Sequence, residues 1–246
     1  MINIVVPMAG GSEFFKEARY PFPKPLAEIN SKTMIELFLE NMNQIEGRKR
    51  YIFVVNSADC ERFHLDNVLN LLTNNSCHII KIASSTQGAA ASILMAIDFI
   101  NNDDEMIISN YDQYIDASIK DVLQEFNDVD AGVITFRSIH PKWSFIKVDK
   151  DNMITEVAEK KPISDQAIAG LYYFSKGSSF VSGAMSMIKK GADINGAFFI
   201  APVLNEIILE NKRLGYVQIP AEQYHTFYTP KKITEYETSR SRNLLI

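Results

Sequence analysis

Two features near the N-terminus have residue types that bind phosphate. Met8-Ala9-Gly10-Gly11-Ser12 is a run of mostly small residues, and further on Lys24 stands between Pro23 and Pro25. Glycine has no Cβ, so its backbone N–H can close on a ligand. The prolines fix φ on either side of the lysine and brace it. Backbone donors beside a held cation suit a polyanion, most simply a nucleoside triphosphate. Met8, Ala9, Gly10, Gly11 and Ser12 are therefore expected to contact nucleotide, with Lys24 facing phosphate charge. The plainer reading is a glycine turn near a surface lysine.

Three later segments carry further chemistry. Asp112 lies in Ile108-Ser109-Asn110-Tyr111-Asp112-Gln113, just past an apolar run. A carboxylate there can hold Mg²⁺, which prefers oxygen ligands and bridges phosphates, and Asn110 can orient it. Asp116 reads as solvent-facing or as a helix cap. Thr86-Gln87-Gly88-Ala89 offers an amide that both donates and accepts, which matches the edge of a nucleobase. The bland alternative is a glycine turn leading into a helix. Glu159-Lys160-Lys161-Pro162 places two lysines in a loop, where charge is ordinarily just solvated.

Strands and helices must position these groups. Residues 2–7, 51–55, 77–82 and 106–109 read as buried strands, and 33–42, 60–72 and 89–100 as helices, the first capped near Ser31 to Thr33. Repeated βα units imply a mostly parallel sheet with helices on both faces, and ligands bind beyond its carboxyl ends. The glycine loop, residues 86–88 and residues 110–112 should then meet in one crevice. After about residue 130 the pattern loosens into strands at 131–136, 145–148, 153–157 and 168–174, then helices at 178–190 and 199–211. The expected fold is α/β: a Rossmann-like three-layer sandwich with a mostly parallel, mixed central sheet. One domain over 1–246 is expected, with a nucleotide-binding half near 1–130 and an acceptor-binding half near 131–246.

Composition excludes several functions. The 246 residues are 46% apolar and 22% charged, with a net charge of −5, which argues against a nucleic-acid surface. No apolar run approaches the roughly 20 residues of a membrane span, and the N-terminus has no basic flank of a signal peptide. Cys60 and Cys77 fit no metal spacing and suggest buried thiols in a reducing cytoplasm. Neither Gly-x-Gly-x-x-Gly nor a P-loop occurs, so a dehydrogenase or a P-loop NTPase is not expected.

Taken in order, Met8 to Ser12, Pro23-Lys24-Pro25-Leu26, Gln87-Gly88-Ala89-Ala90, Asn110-Tyr111-Asp112-Gln113 and Glu159-Lys160-Lys161-Pro162 with Ala169 to Phe174 resemble the nucleotidyltransferases that make NDP-sugars and CDP-alcohols. The resemblance implies that Asp112 binds Mg²⁺, Gln87 reads a pyrimidine with Gly88 and Ala89 beside it, and Lys24 attends the triphosphate. It implies that Lys161, with Lys160 as second choice, meets the phosphate of the acceptor. The subgroup most resembled is the capsule-locus cytidylyltransferases, which implies CTP as donor and a phosphorylated amino acid such as L-glutamine phosphate as acceptor. Pyrophosphate release, a role in capsule biosynthesis and a cytoplasmic location go with it. No nucleic-acid or membrane partner is implied, and a homodimer is left open.

The chain also departs from the family pattern. Its loop glycines are adjacent, and Glu13 stands where the family has an arginine on the β- and γ-phosphates, with Arg19 or Lys16 as substitutes. Ala197 replaces an acid in Asn195-Gly196-Ala197-Phe198. Thr226 takes the place of the usual second metal aspartate, for which Glu206 is the stand-in. A sugar-1-phosphate nucleotidyltransferase fits the same motifs. A nucleotide-sugar glycosyltransferase and a non-catalytic nucleotide-binding paralogue are the rivals from other classes.

Overall fold

A computed structural model describes residues 1–243, with the side chains of residues 1–240. The last residues of the expected 1–246 domain lie outside the described residues. Successive side chains of the first strand, Ile2–Pro7, enter two different cores. Ile4 and Val6 join Phe53, Val55 and Ile107 on one face, while Val5 joins Ile52, Val54, Met106 and Ile108 on the other. A strand buried on both sides is apolar nearly throughout, the exception being buried Asn3, whose Oδ1 accepts from Arg50 Nε and Nη2 at 2.9 and 2.6 Å.

The main sheet runs in the spatial order Ile154–Glu159, Ser144–Val148, Gln166–Phe174, Glu105–Ser109, Ile2–Pro7, Lys49–Asn56, Cys77–Ile82. Ala131–Arg137 also pairs with Gln166–Phe174 and carries Leu214–Gln218 on its far side. Ile2–Pro7 is parallel to both of its neighbours, and Lys49–Asn56 is parallel to Cys77–Ile82. Gln166–Phe174 is antiparallel to Glu105–Ser109, to Ala131–Arg137 and to Ser144–Val148. The result is the expected mixed α/β sheet between helical layers. Parallel ladders join the first four of its strands, Gln166–Phe174 begins an antiparallel half, and Leu214–Gln218 runs parallel to Ala131–Arg137 at its side.

Met34–Met42 packs Met34, Ile35, Phe38 and Met42 into the first core. Thr33 caps it: the Glu36 N–H donates to Thr33 Oγ1 at 3.3 Å, and the Thr33 N–H donates to Glu36 Oε2 at 2.7 Å. This reciprocal pair satisfies two helix-end donors that would otherwise lack partners.

Three helices differ from the expectation. The 60–72 segment is two helices, Ser57–Phe63 and Leu65–Leu72, because His64 adopts a left-handed conformation (φ 53°) that closes the first. The 89–100 segment breaks between Ala89–Leu94 and Ile97–Ile100. The 199–211 helix is confined to Val203–Leu209, since Pro202 can precede a helix but donates no N–H inside one. The sequence reading passed over Glu13–Glu17, the Leu214–Gln218 strand and the terminal helix Pro230–Asn243. Among the described residues no helix is long and apolar enough to cross a membrane. Cys60 is buried and Cys77 half-buried, and both are free thiols.

Candidate active site

The two residues at the centre come from elements far apart in sequence. Lys24 opens a 3₁₀ turn, Lys24–Leu26, behind Pro23, and Asp112 lies in the loop after Glu105–Ser109. Lys24 Nζ donates to Asp112 Oδ2 in a partly buried ion pair, with side-chain exposures of 12% and 23%. The ammonium also lies 5.8 Å from the Phe15 ring centroid and 5.5 Å from that of Tyr111. Burial, with the Asp112 charge beside it, pushes the Tyr111 phenol well above its usual range and keeps it neutral.

The Asp112 loop is pinned from several directions. The Asn110 N–H donates to Gly170 O at 3.1 Å, and the Phe227 N–H donates to Asp112 O at 2.8 Å. Buried Gln113 donates from Nε2 to Gly170 O at 3.0 Å and accepts at Oε1 from the Tyr224 hydroxyl at 3.0 Å. Asn41, buried on the Met34–Met42 helix, donates to Ile115 O at 2.9 Å and accepts from the Ile115 N–H at 3.0 Å. The helix that follows Pro23-Lys24-Pro25 thus holds the strand Gln113–Ile115 that follows Asp112.

Gly170 sits where the pairing of Gln166–Phe174 with Ala131–Arg137 shifts register, with φ at +61°. A Cβ there would overlap Gln113 Oε1 and lie 2.6 Å from Asn110 Nδ2. Gly170→Ala is expected to cost roughly 2–4 kcal/mol, from a left-handed alanine plus overpacking, and to disturb the loop that carries Asp112. Chemical denaturation checks this, and a loss below 1 kcal/mol would show that the bulge relaxes freely.

Two clefts lie on either side of this centre. The first, of about 300 Å³, is walled by Gly10, Gly11 and Ser12, by Lys16 on Glu13–Glu17, by the 20–24 segment with Lys24, and by Asp59, Arg62 and Phe63. Met8 and Ala9 are buried beneath it, and the Met8 N–H donates to Val54 O at 2.7 Å. Lys16 is an ion-pair partner of Glu13 at 2.9 Å, whereas Arg19 is not part of the wall. The second cleft, of about 220 Å³, is walled by Ala89, Asn110, Lys142, Trp143, Ser144, Glu159, Gly170, Tyr172, Phe199 and Tyr224. In its wall the Ser144 hydroxyl donates to Glu159. Burial raises the Glu159 carboxyl above the usual range, while that hydroxyl and the Lys160 charge oppose the rise.

The expected lysines are distributed unevenly. Lys160 Nζ lies 4.5 Å from the ring centroid of Phe199, a cleft residue, while Lys161 is exposed. Lys142, which the sequence reading did not single out, lines the cleft and stands 4.3 Å from the Trp143 ring and 4.4 Å from the Tyr228 ring, donating to the Tyr228 hydroxyl at 3.1 Å.

Gln87 is exposed, and its backbone O accepts from the Phe198 N–H at 2.7 Å. A Cβ on Gly88 would overlap Phe198 O, so this glycine is required by packing of the chain against the 195–198 segment. That segment is an Asn-Gly turn in which Ile194 and Ala197 exchange backbone hydrogen bonds at 2.9 and 3.2 Å. Thr86 spends its hydroxyl inside the loop, on Gly88 O and Ser92.

Thr226, on Tyr224–Thr226, pairs with Gln113 next to Asp112. Glu206 accepts from Lys190 Nζ at 2.6 Å on Val203–Leu209, away from this loop. Asp116 is solvent-facing and pairs with Arg240 at 2.7 Å. Among the described residues no three His, Cys, Asp or Glu side chains gather to hold a metal. Asp112 is the carboxylate that stands beside Lys24. That fits Mg²⁺, which commonly takes one or two carboxylates and completes its shell with substrate phosphate oxygens and water.

The glycine loop, Lys24 and the loop that carries Asp112 thus come together beyond the carboxyl ends of the parallel strands. The chain belongs to the nucleotidyl transferase family, whose profile matches residues 20–219. No curated protein gives a significant match. Among solved structures, a nucleoside-diphosphate-sugar pyrophosphorylase from Vibrio cholerae superposes with a TM-score of 0.84 at 22% identity, over 96% of this chain and 99% of that one. An inositol-1-phosphate CTP transferase from T. maritima gives 0.74 at 14% identity, over 94% and 90%. A UDP-glucose pyrophosphorylase solved with UDP-glucose gives 0.75 at 16% identity, over 99% and 100%. At these identities the likeness is one of fold.

Proposed function

We propose that this protein transfers the nucleoside monophosphate part of an NTP, CTP by preference, to a phosphorylated small molecule and releases pyrophosphate. The observation that carries the reading is the Lys24–Asp112 ion pair. It ties a wall of the cationic, glycine-lined cleft to the loop whose Asn110 walls the second cleft. Donor and acceptor then occupy separate clefts and meet at the pair. Gly10 supports the assignment of the first: a Cβ there would meet nothing within 4 Å and φ is not left-handed, so neither packing nor backbone demands glycine. Room for a ligand does.

An acceptor phosphate oxygen attacks the α-phosphorus, the α–β P–O bond breaks, and pyrophosphate leaves. The attacking phosphate is already anionic near neutral pH, so catalysis is positioning and charge stabilisation without a general base. Lys24 has three ammonium protons and can hold Asp112 and a phosphate oxygen together. Asp112 would hold Mg²⁺, which would supply charge neutralisation on the phosphates. Lys160 and Lys142 flank the second cleft and take the acceptor phosphate, with Lys161 a further solvent-side charge. The Glu159–Ser144 pair recognises donor groups on the acceptor, such as the ammonium of an amino-acid phosphate or the hydroxyls of a sugar phosphate. L-glutamine phosphate, with CTP, is the pairing suggested by the resemblance to the capsule cytidylyltransferases, and it carries the role in capsule biosynthesis and a cytoplasmic site of action.

A pyrophosphate-release screen of the four NTPs against phosphorylated amino acids, alcohols and hexose-1-phosphates tests the proposal. CTP is expected to exceed ATP and GTP by at least about a hundredfold in kcat/KM, because a site that hydrogen-bonds one base edge leaves groups unpaired with the wrong base. Gln87→Ala should erode that preference. Preference for UTP or dTTP with hexose-1-phosphates would replace the substrate assignment by that of an NDP-sugar pyrophosphorylase. Absence of pyrophosphate with every pair would overturn the enzyme reading in favour of a nucleotide-binding paralogue.

A further inference from the structure

We propose that Arg62 is the residue that receives the terminal phosphates of the donor triphosphate, a role that rests on the nucleotidyl-transfer reading above. Arg62 lies on Ser57–Phe63, the helix that leaves the carboxyl end of Lys49–Asn56, and it walls the same cleft as Gly10, Gly11 and Lys24. The start of that helix is fixed by the Asn56 side chain, which accepts from the Ala58 N–H at 2.8 Å. The Arg62 guanidinium carbon lies 5.0 Å from the Phe63 ring centroid, and Phe63 in turn meets the edge of Phe22 from the facing wall. The cation is thus laid against an aromatic wall at the mouth of the cleft.

The charges in the cleft distinguish Arg62 from the other candidates. Lys16 is bound to Glu13 at 2.9 Å and Lys24 to Asp112. Arg62 makes no ion pair among the described residues. A guanidinium presents five donors in a planar fork that fits two phosphate oxygens at once. Lys24, through Asp112, marks the end of the cleft where reaction occurs, so the fork on the other wall falls to the phosphates that leave. The opposing group is Asp59, also in the wall. Burial raises its carboxyl above the usual range, with the Lys16 charge acting against the rise.

The test is calorimetric titration of the full chain, with Mg²⁺, by CTP, CMP and inorganic tripolyphosphate. Arg62→Ala is expected to weaken tripolyphosphate and CTP by about 10- to 100-fold, the loss of a charge-assisted contact, and to leave CMP within about twofold on the same principle. Arg62→Lys should recover part of the affinity. Equal weakening of CTP and CMP, or no change in either, overturns the assignment. Arg62 is solvent-exposed, and Arg62→Gln serves as a second neutral variant should the alanine form fold poorly. A wild type that binds no triphosphate overturns the functional reading itself. A wild type that binds it while Arg62→Ala and Arg62→Gln are indifferent overturns the role of Arg62 alone.

Discussion

Asp112→Asn is expected to lower pyrophosphate release by about three orders of magnitude or more, close to 4 kcal/mol of transition-state stabilisation. The substitution keeps the shape of the side chain and removes its charge. The loop should stay in place, because its anchors are backbone and neighbouring contacts: Asn110 N–H on Gly170 O, Phe227 N–H on Asp112 O, and the reciprocal Asn41–Ile115 pair. Stability should fall by about 1–3 kcal/mol, the loss of a charge-assisted contact to the mostly buried Lys24 ammonium. An intact melting transition together with lost turnover would therefore separate chemistry from folding. Turnover within tenfold of wild type, at saturating Mg²⁺ and NTP, would remove Asp112 from the mechanism.

Lys24→Ala is expected to reduce kcat by about a hundredfold or more while raising the KM for NTP far less, the pattern of an interaction that strengthens in the transition state. Pro23 and the 3₁₀ turn keep the ammonium beside Asp112, so little reorganisation is needed as charge builds on the leaving phosphates. Because each residue holds the other, the double variant Lys24→Ala/Asp112→Asn should lose much less than the product of the two single losses. Full multiplicativity would mean that the two act independently. An effect confined to KM would make Lys24 a binding residue only.

Much of this arrangement is legible in local sequence because it rests on local rules. Doubly buried strands carry long apolar runs, so Ile2–Pro7, Lys49–Asn56 and Glu105–Ser109 announce themselves by their centres. Thr33 and Glu36 mark the start of a helix by their spacing alone, and the prolines around Lys24 declare a fixed turn. Helix interruptions are less visible: nothing in the composition of residues 60–72 requires His64 to turn left-handed. The mixed character of the sheet was readable in outline, but the strand Leu214–Gln218 was not. It acquires its place by pairing with Ala131–Arg137, across a long stretch of chain.

The sequence by itself determined the chemical ingredients: a glycine loop, a braced lysine, a strand-end aspartate and the family to which they belong. Tertiary structure decided which of them act together. Gln113, Asn41 and Gly170 support Asp112 only because three separate elements converge on one loop, and no spacing along the chain encodes that meeting. Arg62 and Lys142 look like ordinary surface charges until the fold sets each in the wall of a cleft, Lys142 also against the distant Tyr228 ring. Gly88, whose place in a motif suggested a nucleobase, is glycine because the Phe198 backbone approaches too closely for any Cβ. Local propensity and burial are properties of short segments, whereas ion pairing, side-chain support and close backbone approach depend on residues that only folding brings into range.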